Sequence, residues 1–141
     1  MIGILIITHG DFAKGLVASS ALLAGEQEKV EAIGLYPGEG FDDFKDTVRD
    51  TITRMAADSE GDGVLVMVDL FGGSPFNAVA FASRELIAEN VKFECLTGAN
   101  MPMILEGMLT RDAMSLEELK QHCMESSAAG IQDMIAELGL R

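Results

Sequence analysis

Apolar residues along the chain follow two rhythms in turn. Ile2 to Ile7 is an apolar, largely β-branched run broken only by Gly3, and Phe12, Leu16, Ser19 and Leu23 then recur at helical intervals. Val30-Glu31-Ala32-Ile33-Gly34-Leu35 is a weaker strand candidate, closed by the turn signal Tyr36-Pro37-Gly38. Phe41, Phe44, Val48, Ile52 and Met55 recur at three and four residues, which is one face of an amphipathic helix. Val64 to Val68 is a second continuous apolar run. Ser74-Pro75 supplies an N-cap and a proline at the first helical position for an apolar helix from Phe76 to Ile87. Val91-Lys92-Phe93-Glu94-Cys95 alternates as a half-exposed strand does, and a short helix is expected near Pro102. Ser115-Leu116-Glu117-Glu118 has the form of a capping box, and Leu116, Leu119 and Cys123 continue its helix along one face. Ser126 to Arg141 holds either a further strand or a continued helix, with Gly130 interrupting the pattern.

Strand alternating with helix predicts a single α/β domain, residues 1–141, built on a doubly wound, mainly parallel sheet. The two continuous runs suit central strands, buried on both faces, and the two alternating ones suit edges. Numbering the strands along the chain, right-handed crossovers then favour the order 2-1-3-4, with helices on both faces. The crevice between the carboxyl ends of the first and third strands is a topological switch point, where open α/β sheets bind ligands.

The chain has 141 residues, sufficient for one core. No apolar run is long enough to cross a bilayer, and Met1-Ile2-Gly3 carries no basic region ahead of its apolar stretch, so a cytoplasmic protein is expected. Cys95 and Cys123 lack any pairing or ligand spacing and read as free thiols. Ten basic against 23 acidic residues give a formal net charge of -13, which disfavours nucleic acid and anionic lipid as partners and suits a basic protein. The nine methionines read as core filler, and Gln121-His122 as a solvated helix face.

At the switch point the sequence places Thr8-His9-Gly10-Asp11 and Asp69-Leu70-Phe71-Gly72-Gly73-Ser74-Pro75. A carboxylate beside an imidazole takes the proton of one ring nitrogen and leaves the other as a nucleophile. Gly72, Gly73 and Ser74 add backbone N–H groups and a hydroxyl at a helix mouth, which suits a phosphoryl group. The same parts have simpler readings as a capped histidine, a loop carboxylate and ordinary turn chemistry, and it is their convergence that points to a site.

Thr8-His9-Gly10, together with Val68-Asp69-Leu70-Phe71-Gly72-Gly73-Ser74-Pro75-Phe76-Asn77-Ala78, resembles the mannose-type IIA domain of the bacterial sugar phosphotransferase system. Leu23 to Glu28, Pro37-Gly38-Glu39 and Gly98 to Met103 match further segments of that family, so the resemblance runs from residue 1 to about residue 112. It implies that His9 takes a phosphoryl group from phospho-HPr and passes it to a IIB component, which phosphorylates incoming sugar. It also implies that Asp69 orients His9 and that Ser74, with the amides of Gly72 and Gly73 and with Thr8 beside them, receives the phosphoryl group. No metal or cofactor enters this chemistry, and the membrane is reached only through transporter components. The family forms homodimers, some by exchanging a C-terminal strand, and the IIB partner is expected on a separate chain.

Other readings of these residues are open at this level. His9, Asp69 and Ser74 are the residue types of a hydrolase triad, although the Gly-x-Ser-x-Gly elbow is missing. A receiver phosphorylated on Asp69 would need more acidic residues after the first strand than Asp11. No phosphate-binding nucleotide loop is present. A regulator that merely retains the fold, and the phosphocarrier subunit of a dihydroxyacetone kinase, complete the alternatives.

Overall fold

A computed structural model describes all residues, 1–141. The strands are β1 (Gly3–His9), β2 (Val30–Leu35), β3 (Val64–Val68) and β4 (Phe93–Thr97), all parallel and in the order β2-β1-β3-β4. Between and after them run α1 (Phe12–Ala24), α2 (Phe41–Asp58), α3 (Ser74–Ala88), α4 (Met101–Thr110), a 3-10 turn at Arg111–Ala113, α5 (Leu116–Ala129) and α6 (Met134–Glu137). The predicted order and the two-sided helical cover are both observed.

The alternation of side chains in the two central strands sorts them into two cores. Ile4 and Ile6 of β1 join Leu65 and Met67 of β3 under α1, α4 and α5. Leu5 and Ile7 join Val64, Val66 and Val68 under α2 and α3. Every one of these strand residues is fully buried. Burial on both faces is why the runs are apolar at every position instead of at alternate ones. The edge strand β2, by contrast, is half-buried throughout. Met55, Met67, Met103 and Met108 lie in the cores, as core filler should, while Met124 and Met134 are exposed.

Several boundaries differ from those expected. The strand expected at Val91–Cys95 is observed at Phe93–Thr97, because pairing with β3 begins at Val64 opposite Phe93. Val91 and Lys92 instead close the turn from α3, with the Val64 amide donating to the Lys92 carbonyl. Helix α3 starts at Ser74, so its N-cap is Gly73 and not Ser74. Asn100 caps α4 by accepting from the Met103 amide at 3.0 Å. The capping box is formed: Ser115 accepts from the Glu118 amide at 3.3 Å, and Glu118 accepts from the Ser115 amide at 2.8 Å. The C-terminal segment is helical, with α5 running to Ala129 and one further turn in α6, and Ile131, Met134, Leu138 and Leu140 are exposed.

A buried cation ties the ends of this architecture. Arg111, 3% exposed, donates from its guanidinium to the carbonyls of Ile2 at 3.0 Å and Glu28 at 2.6 Å. It thereby joins the end of α4 to the starts of β1 and β2. His122, expected on a solvated face, is half-buried and bonded to Glu106 of α4 at 2.8 Å. Cys95 and Cys123 are free thiols, and burial pushes them up to about 12 and about 11 respectively.

Candidate active site

The carboxyl ends of β1 and β3 lie side by side, with Ile7 opposite Val68, so the next residues leave the sheet together. One of them is Asp69, and two positions beyond Ile7 is His9. Oδ2 of Asp69 accepts from the His9 backbone N–H at 3.0 Å and bonds ring Nδ1 at 2.8 Å. A carboxylate only accepts, so in the neutral imidazole Nδ1 carries the proton and Nε2 keeps its lone pair. The Asp69 side chain is 14% exposed against 49% for His9, so the carboxylate is sheltered while the ring reaches water. Its second oxygen, Oδ1, is buried without a hydrogen-bond partner in the chain.

The backbone makes this meeting possible. Gly10 turns the chain out of β1 at φ 55°, and its amide still reaches the Leu35 carbonyl of β2 at 2.8 Å. The Gly10 carbonyl passes so close to Gly34 that a Cβ there would come within 2.1 Å of it. Helix α1 then starts at Phe12, and Tyr36 at the end of β2 donates its hydroxyl to Asp11 at 2.6 Å. On the other side of the crevice, Gly72 adopts φ 82° and delivers the chain to the N-terminus of α3. A Cβ on Gly73 would lie 3.5 Å from Nε2 of His9 and 2.9 Å from Cε1, so the free nitrogen sits against the cap of that helix. The unpaired amides and the positive dipole end of a helix gather there.

The other expected site residues are placed as follows. Ser74 is the first residue of α3, its hydroxyl is not spent on capping the helix, and no hydrogen bond joins it to His9. Gly72 and Gly73 form the approach to the helix, as expected. Thr8 sits apart from these groups. It is fully buried, its hydroxyl accepting from the Ala13 amide at 2.7 Å and donating to the His9 carbonyl at 3.2 Å. The hydroxyl therefore anchors the start of α1 to the end of β1 and is not offered to an anion. Around the crevice, Phe12, Leu70 and Phe71 are exposed, and Phe71 packs against Phe76 with ring centroids 4.5 Å apart and planes tilted by 44°. Sequence reasoning passed over this apolar collar, although Leu70 and Phe71 follow Asp69 directly.

Comparison with known proteins decides the family. Residues 3–124 match the EIIA-man family model, described as PTS system fructose IIA component. The chain belongs to the EIIA-man family. Among EIIA-man relatives, the fructose-specific EIIA component of Bacillus subtilis (strain 168) is 31% identical over 132 residues, covering 94% of this chain and 86% of its own. The mannose-specific EIIAB component of Escherichia coli (strain K12) is 35% identical over 136 residues, covering 96% of this chain, which spans 40% of that longer protein. Among solved structures, an EIIA component from Streptococcus agalactiae superimposes with a TM-score of 0.84 at 31% identity, covering 96% of this chain and 99% of that one. Such components act in the phosphoryl transfer of sugar uptake, and the hydrolase and dihydroxyacetone-kinase readings are not favoured. No helix is long and apolar enough to cross a membrane.

Proposed function

We propose that this chain carries a phosphoryl group on Nε2 of His9, received from phospho-HPr and passed to a IIB component. The observation that carries the reading is the pairing of Nδ1 with Asp69 at 2.8 Å, which turns the lone pair of Nε2 toward the cap of α3. In the forward step Nε2 attacks phosphorus, the Nε2–P bond forms, and the donor's bond to phosphorus breaks. The ring gains positive charge as this happens, and the sheltered Asp69 carboxylate stabilises it through the retained Nδ1–H bond. The amides of Gly72 and Gly73 and the hydroxyl of Ser74 then face the phosphoryl oxygens at the helix N-terminus. Thr8 acts one step back, holding the strand end to α1. Transfer to IIB reverses the chemistry. No divalent metal or cofactor takes part. The chain works in the cytoplasm as a homodimer, a state expected from the family resemblance.

Incubation with the general phosphotransferase proteins and phosphoenolpyruvate should add one phosphoryl group to the wild type, labile in acid and stable in alkali. His9→Gln should take none, and label on His122 or Asp69 instead would overturn the assignment.

A further inference from the structure

We propose that Gly73 is a positioning residue for the His9 ring: the absence of its side chain, more than its amide, is what keeps Nδ1 on Asp69 and Nε2 free. The inference rests on the reading of His9 as the phosphoryl acceptor, and it concerns how that ring is held.

Gly73 has φ -74° and ψ 171°, an extended conformation open to any residue. Backbone freedom therefore gives no reason for glycine here, in contrast to Gly72 at φ 82°. Capping gives none either, since Ser, Thr, Asp and Asn serve at least as well at an N-cap. An alanine would also keep the amide that an anion needs. What alanine cannot keep is the space, because its Cβ would fall 2.9 Å from Cε1 and 3.5 Å from Nε2 of His9.

The ring cannot simply retreat from such a methyl group. Oδ2 of Asp69 holds it by Nδ1 at 2.8 Å and holds the same residue's backbone N–H at 3.0 Å. One residue on, the Gly10 amide is tied to the Leu35 carbonyl at 2.8 Å, with the Gly10 carbonyl packed against Gly34. The imidazole thus lies between a carboxylate on its Nδ1 edge and a bare glycine on its Cε1–Nε2 edge. The torsion that turns a histidine ring is broad, so a ring pushed by a Cβ at 73 swings away from it and loses the alignment of its bond to Asp69. Once that bond is lost, the proton distributes between the two nitrogens, and the nucleophile is no longer aimed at the helix mouth.

The test is Gly73→Ala, read in two independent ways. Long-range proton–nitrogen spectra of the ring should show the Nδ1–H tautomer alone in wild type and a mixture of tautomers in the variant, with backbone amide spectra otherwise preserved. Single-turnover transfer from phospho-HPr should fall by about tenfold to a hundredfold at saturating donor, as a ring misplaced by a fraction of an ångström implies. KM for the donor should change by less than about twofold, since Gly73→Ala keeps the backbone amide that faces the phosphoryl group. A control, Gly15→Ala on α1, where a Cβ meets nothing within 4 Å, should alter neither readout. In the wild-type protein itself, the Cε1 proton of His9 should show a nuclear Overhauser contact to the Gly73 α protons, which requires no variant to fold. Gly73→Ala with an unchanged tautomer and an unchanged rate overturns the proposal, as does absence of that contact. Should wild type fail to be labelled on His9, the carrier reading falls, while the ring spectra still decide whether Gly73 sets the tautomer.

Discussion

Asp69→Asn removes the charge beside His9 and leaves nearly everything else in place. The amide oxygen of asparagine can still accept from the His9 backbone N–H, now 3.0 Å from Oδ2, so the fold should survive. What is lost is the attraction between a full carboxylate and the ring charge that grows as Nε2 bonds to phosphorus. Two unit charges about 4 Å apart interact by ~4 kcal/mol at an effective dielectric near 20. With His9 49% exposed and Asp69 only 14%, water screens the ring more than the carboxylate. Roughly half of that energy, ~2 kcal/mol, is a fair value for the transition state, or about 30-fold in rate. An amide that turns its NH2 toward Nδ1 favours the wrong tautomer and extends the loss toward about a thousandfold. The assay is rapid-quench transfer from phospho-HPr at saturating donor, with circular dichroism confirming the fold. A variant that transfers at the wild-type rate would refute the electrostatic role of Asp69.

Ser74→Ala should weaken transfer partially, by about 1–3 kcal/mol for one charge-assisted hydrogen bond, and stoichiometric labelling of Ser74 by a serine-directed acylating reagent would instead revive the hydrolase reading. The two thiols predict a pH dependence of stability. Burial raises them from the ordinary 9.0 to about 12 for Cys95 and about 11 for Cys123, so above pH 9 the folded chain binds more protons than the unfolded one. Stability should accordingly fall as pH rises from 9 toward 11–12, and a Cys95→Ala, Cys123→Ala double variant should lose that part of the decline in alkaline denaturant titrations. An equal alkaline decline in the double variant would mean that the thiols are not its source.

What could be read in advance was whatever a local pattern enforces. Ile4 to Ile7 and Val64 to Val68 are apolar at every position because each is buried on two sides, and this alone put them in the middle of the sheet. From the strand order followed the meeting of His9 with Asp69. The features that the local pattern left open depend on partners elsewhere in the chain or on a single residue of register. The alternation through Val91 and Lys92 resembles a strand, yet the edge begins only where β3 offers Val64 to Phe93. Ser74 has the chemistry of a cap, but Gly73 occupies the extended position and the serine becomes helical. Thr8 adjoins His9 in sequence and yet points its hydroxyl to Ala13, an orientation set by where α1 starts. His122 finds Glu106 on a neighbouring helix. Nothing local in Leu70-Phe71-Gly72-Gly73 announces that the last glycine faces an imidazole ring sixty-four residues earlier.

The Arg111 tie has a consequence for the order in which the chain matures. The central strand β1 is made first, but its neighbour β3 begins only at Val64, and the Ile2 carbonyl finds its donor only at Arg111. On the ribosome, β2 can pair with one edge of that apolar strand early, while its other edge waits for β3. During that wait the open edge is exposed to the mispairing that threatens any uncovered strand edge. The late arrival of a charged side chain, which must shed its water to reach two backbone carbonyls, supplies the last of these ties. A chain halted before residue 111 lacks the guanidinium that joins the starts of β1 and β2. Completion of the fold is thereby coupled to completion of α4, long after the phosphoryl-accepting residue itself has emerged.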